Sequence, residues 1–78
     1  MRLDKFLKMS RVIKRRTVAN EAADNGRVSV NGKIVKPSYT VKVGDIVEIQ
    51  FGDKTATFEI MKIPTTSGKD VGECIKVL

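Results

Sequence analysis

Gly26-Arg27-Val28-Ser29-Val30-Asn31-Gly32-Lys33-Ile34-Val35 is the stretch that decides the fold. Val28 and Val30 alternate with polar residues, the period of a strand with one buried face. Asn31-Gly32 supplies two residues that tolerate positive φ, as a two-residue hairpin turn requires. Directly upstream, a helix is expected from Arg16 or Thr17 to Asn25, with Val18, Ala19, Ala22 and Ala23 as an apolar face of small side chains. Small residues let such a helix approach its neighbours closely. Asn25-Gly26 reads as its C-terminal cap.

Before that helix lies a basic connector, Arg11 to Arg16, in which Val12 and Ile13 are expected to plug the core. A first helix is expected from Leu3 to Ser10, where Leu3, Phe6, Leu7 and Ser10 share one face while Lys5 and Lys8 point away. Asp4 sits in its first turn, where a carboxylate complements the helix dipole. So short a helix must be held by packing.

Downstream, Pro37 and Ser38 break the strand pattern, and Val43-Gly44-Asp45 reads as a turn into a strand over Ile46–Phe51. Gly52-Asp53 forms a second hairpin tip before a strand over Lys54–Met61, with Ala56, Phe58 and Ile60 alternating. The Thr/Ser/Gly-rich run from Pro64 to Glu73 reads as a mobile loop, and Cys74–Leu78 as a returning edge strand. The expected class is α+β: two or three short helices packed on a small, mainly antiparallel sheet. All 78 residues fall in one domain.

A chain this short buries only about 60 % of its unfolded surface, which favours a binding module over an enzyme with a deep pocket. It holds one cysteine, Cys74, and no histidine, so no internal disulfide and no four-ligand zinc site can be built. Cys74 is expected to be a small buried hydrophobe. Without histidine the commonest general acid/base is missing, the serines have no evident base, and the carboxylates are scattered. No catalytic residue and no cofactor are expected. The N-terminus interleaves its charges with its apolar residues, unlike a signal peptide or a membrane span, so a cytoplasmic location is expected.

Charge is segregated. Residues 1–36 carry ten Lys/Arg against three acids, whereas residues 37–78 carry five against six. A one-sided field of this kind draws polyanions and orients them. Lys14, Arg15 and Arg16 form its centre, with Arg16 the best single candidate because backbone N–H groups at a helix start already favour phosphate. Arg2, Lys5, Lys8 and Arg11 extend the basic surface, and Arg27, Asn31 and Lys33 continue it into the hairpin. Phe6, Phe51 and Phe58 fall in apolar patterns and are expected in the core, while Tyr39 suits either rim packing or stacking on a base. Few free aromatics favour structured RNA, bound through phosphate, ribose and shape, over stacked single strands.

Arg2-Leu3-Asp4, the helix start Lys14-Arg15-Arg16 through Ala19, the run Gly26–Gly32 and Val43-Gly44-Asp45 together resemble the S-four-type RNA-binding domain over about residues 1–51. Within that family, Met1–Lys8 and Ile13–Thr17 are similar to the group that contains RqcP (YabO) and heat-shock protein fifteen. The resemblance implies an alpha-L fold and binding to obstructed large ribosomal subunits through ribosomal RNA and peptidyl-tRNA. It also implies support for C-terminal tailing of stalled chains, beside an RqcH-type factor. It assigns RNA contacts to Arg2 and Arg16 and an orienting role to Asp4. Arg15 departs from the Ser or Thr common before the motif arginine, which removes a helix N-cap and adds a charge. The alternatives left open are a general structured-RNA or ribosome-assembly protein, an accessory to an RNA-modifying enzyme, and a protein-interaction domain. A monomer is the default.

Overall fold

In the computed structural model, which describes residues 1–63 and 74–78, the Asn31-Gly32 hairpin forms as expected. Strand β1 (Val28–Val30) turns into β2 (Lys33–Ile34), pairing Val30 with Lys33. Asn31 and Gly32 have φ of 52° and 84°, the two positive values that a type I′ turn demands. The mobile loop expected at 64–73 lies outside the described residues.

Two helices precede the hairpin. Helix α1 spans Leu3–Met9 and is closed by Ser10, one residue short of the expected end. Helix α2 spans Arg16–Asp24 and ends at Asn25. Its exit is a Schellman motif: the Gly26 N–H donates to the Ala23 carbonyl at 3.1 Å and the Arg27 N–H to Ala22 at 3.0 Å. That geometry needs the positive φ of Gly26, 74°. The chain therefore enters β1 in a fixed direction.

Strands β3 (Ile46–Phe51) and β4 (Lys54–Ile60) form the longest hairpin, and β5 (Ile75–Val77) returns along β4. The sheet order is β2-β1-β3-β4-β5, antiparallel throughout. Its inner face presents Val28, Val30, Val47, Ile49, Phe58 and Ile60 to Leu3, Phe6 and Leu7 of α1 and Ala19 and Ala23 of α2, in one buried cluster. Ile13 joins this cluster from the connector, as expected, and Cys74 is fully buried.

Two expectations are corrected by depth of burial. Phe51 continues the inward alternation of Val47 and Ile49 but lies at the strand end, beyond the core, and is 44 % exposed. Val18, expected on the apolar face of α2, is 46 % exposed because Ala19 and Ala23 alone on that helix face the centre of the cluster.

The N-terminus is tied to the loop before β3. Leu3 N–H donates to the Tyr39 carbonyl at 2.7 Å, Asp4 N–H to Pro37 at 3.2 Å, and Val41 N–H to Met1 at 3.0 Å. Arg2 thus enters α1 as a short extended bridge opposite Thr40, not as a frayed end. Tyr39 packs at the rim of the core.

Candidate nucleic-acid interface

Asp4 organises the basic surface. It is 2 % exposed, yet a lone buried carboxylate is costly unless it is paired and hydrogen-bonded. Its Oδ1 accepts from the Lys5 backbone N–H at 2.8 Å and from Arg2 Nε at 3.2 Å. Its Oδ2 accepts from Arg2 Nη2 at 3.3 Å and Asn20 Nδ2 at 3.2 Å, with Arg16 Nε at 3.6 Å. Burial raises the pKa of this carboxyl. The Asn20 and Lys5 hydrogen bonds and the charges of Arg16 and Arg2 outweigh that effect and hold it below the ordinary 3.8.

The consequence lies in the arginines. Arg2, at the entry to α1, and Arg16, the first residue of α2, are brought from sites fourteen positions apart onto one carboxylate. Their side chains stay about half exposed, 50 % and 47 %. Asp4 holds the Arg2 guanidinium by two hydrogen bonds and draws that of Arg16 by an ion pair, and each keeps further N–H donors. Such a pre-aimed pair is suited to phosphate, which accepts bidentate hydrogen bonds from Arg.

Around this pair the other bases lie open. Lys5 and Lys8 lie on the exposed side of α1, and Arg11, Lys14 and Arg15 on the connector, all exposed. Arg11 holds a positive φ of 63° at the turn out of α1. Among the described residues, the only ion pairs are those of Arg2 and Arg16 with Asp4, so none of these lysines and arginines is ion-paired to another described residue. Arg15, the N-cap of helix α2, makes no side-chain cap, and the first turn holds no acid. Its first N–H groups therefore keep their partial positive charge for solvent or a ligand. Beside Arg16, a shallow groove of about 320 Å³ runs along Thr17, Asn20 and Glu21.

The remaining sequence-named residues lie apart. Arg27 is at the far end of α2, and Lys33 is exposed on the edge strand β2; no contact joins either to Asp4. Asn31 is an internal brace: its Nδ2 donates to Asp45 at 3.1 Å, and its Oδ1 accepts from the Ile46 N–H at 3.0 Å. Asp45 in turn accepts from the Lys42 N–H at 2.9 Å. Asn20 was missed from sequence. Its only local signal is its place one helical turn after Arg16, an i, i+4 spacing.

Among the described residues no group of three His, Cys, Asp or Glu could hold a metal ion, and no helix is long and apolar enough to cross a membrane.

A family model described as the S4 domain matches residues 1–47, which span α1, α2, the first hairpin and the start of β3. Proteins called RQC P-site tRNA stabilizing factor from Bacillus subtilis and Streptococcus pneumoniae are each 51 % identical to the chain over 70 residues. Those matches cover 90 % of this chain and 81 % and 80 % of the relatives. Among solved structures, the Vibrio cholerae heat shock protein 15, described as trimeric, superposes with a TM-score of 0.89 at 29 % identity, over 100 % of this chain and 81 % of that one.

Proposed function

The chain belongs to the S4 domain family, and from that premise we propose that it is an RNA-binding factor of ribosome-associated quality control. It binds large ribosomal subunits obstructed by peptidyl-tRNA, touching ribosomal RNA and tRNA together. Its presence supports C-terminal tailing of the stalled chain, with an RqcH-type factor on the same subunit. It acts in the cytoplasm as a monomer and makes or breaks no bond.

The observation that carries this reading is the convergence of Arg2 and Arg16 on buried Asp4, within a field of exposed bases. The names of the relatives supply the setting, stabilisation of a P-site tRNA. Two helices present bases on adjoining surfaces, so one RNA can engage α1 and a second the start of α2. Each phosphate then gains a charge-assisted contact that neither RNA makes alone. Because the arginines are held before binding, less side-chain entropy is lost when phosphate arrives.

The test is binding of the purified protein to large subunits with and without peptidyl-tRNA, across a salt series. Tighter binding to the tRNA-carrying subunits, with a log–log salt slope of roughly −0.7 to −0.9 per phosphate contacted, is expected. Equal affinity for both particles would leave a general structured-RNA or assembly protein. Affinity independent of salt would remove the RNA reading.

A further inference from the structure

On the other flank of α2 from the Asp4 cluster lies a groove of about 340 Å³, between that helix and the end of β3. Its volume falls at the lower end of small-ligand sites, roughly 300–1,000 Å³. Val18 and Phe51, which sequence periodicity assigns to the core, lie in its wall, each nearly half exposed. Phe51 is the one phenylalanine that the core does not bury, since Phe6 and Phe58 are 0 % and 2 % exposed. Glu21, Asn25, Arg27 and Gln50 also line the groove. Among the described residues neither Arg27 nor Glu21 makes an ion pair.

We propose that this groove receives an unpaired nucleobase of the bound RNA, stacked on Phe51, with its edge met by the carboxamide of Asn25 and its backbone drawn in by Arg27. This inference rests on the RNA-binding reading but adds a second contact of a different kind, to a base instead of a phosphate. An exposed aromatic ring in a groove that also has an arginine in its lining is a combination that binds single bases irrespective of sequence. The groove continues the interface already described: Glu21 lines both it and the groove beside Arg16. Nine residues of α2 separate the two ends of the site, about 13 Å at 1.5 Å per residue, so one short RNA segment can reach both. An apolar protein side chain would fill the groove equally well but would leave Arg27 and the Asn25 carboxamide unmatched.

The experiment is amide and methyl NMR titration of the whole chain with guanosine 5′-monophosphate, inorganic phosphate and a short uncharged leucine-rich peptide as separate probes. Expected are nucleotide-specific shifts at Val18, Arg27, Gln50 and Gly52 that phosphate and peptide do not reproduce. In Phe51→Leu, folded by the same spectrum, nucleotide affinity at those signals falls about 5–150-fold, the range for one lost base stack. Shifts confined to the surroundings of Arg2 and Arg16 would overturn the base site while leaving phosphate binding intact. Groove shifts with the peptide alone would overturn it in favour of a protein partner. Unchanged nucleotide affinity in Phe51→Leu would overturn the stacking. Phosphate and nucleotide both silent everywhere would count against the RNA reading itself.

Discussion

Asp4→Asn separates pre-organisation from charge. The substitution keeps the shape of the side chain but turns one acceptor oxygen into an NH2 group. Either orientation sets that group against donors: Lys5 N–H and Arg2 Nε on one side, or Arg2 Nη2, Asn20 Nδ2 and Arg16 Nε on the other. Breaking a buried ion pair can cost about 3–5 kcal/mol. Here both arginines are about half exposed and can rehydrate, so the expected loss is smaller, about 2–3 kcal/mol. For a domain of this size each kcal/mol moves Tm by roughly 4–8 °C, which thermal unfolding followed by circular dichroism resolves readily.

The pH dependence has a defined sign. The Asp4 pKa is lowered from 3.8 on folding, so its stabilisation is complete above that unfolded value and is lost as pH falls through the folded one. In Asp4→Asn that acid-limb contribution disappears. RNA affinity then discriminates between two opposed effects. Removing a negative charge beside a phosphate site should strengthen binding by up to about 1 kcal/mol at a partly exposed surface. Releasing two arginines to be ordered anew should weaken it by about 1–3 kcal/mol. At the middle of these ranges the second effect wins by about 1–1.5 kcal/mol, roughly 5–13-fold weaker binding despite the higher net charge. An Asp4→Asn protein that is as stable as wild type and binds RNA more tightly would refute the clamp.

Arg16→Ala should weaken binding to large subunits strongly while leaving the spectrum and Tm nearly unchanged, because Asp4 keeps Arg2, Asn20 and the Lys5 N–H; an unfolded variant would contradict this. Leu7→Ala removes a fully buried side chain and should cost about 2–5 kcal/mol in urea unfolding, with RNA affinity preserved in the folded fraction. Asn31→Ala loses the brace to Asp45 and Ile46 as well as a residue suited to φ of 52°, so a destabilisation of about 1–3 kcal/mol is expected. If Asn31→Ala instead lowered RNA affinity with stability unchanged, its side chain would have a direct role in binding.

Local chemistry made the first hairpin, the cap at Asn25-Gly26 and both helices legible, because turn residues and periodicity act within a few positions. The basic surface was legible too, since charge counts survive folding. Three features were not. Phe51 obeys the alternation that assigns it inward, but periodicity reports a face and not a depth, and the core ends before the strand does. Asn20 carries no signature of its own; its role depends on α1 packing against α2 and bringing Asp4 within 3.2 Å. The backbone ties from residues 1–4 to Pro37, Tyr39 and Val41 join segments more than thirty positions apart, and no local pattern announces them.

The most direct measurement is gradient sedimentation of cell lysates, with and without induced stalling, following this protein and peptidyl-tRNA in the same fractions. Co-migration with large subunits that rises with stalling and falls for Arg16→Ala is the predicted result. Equal distribution over all ribosomal particles, indifferent to stalling and to Arg16, would contradict a role in quality control.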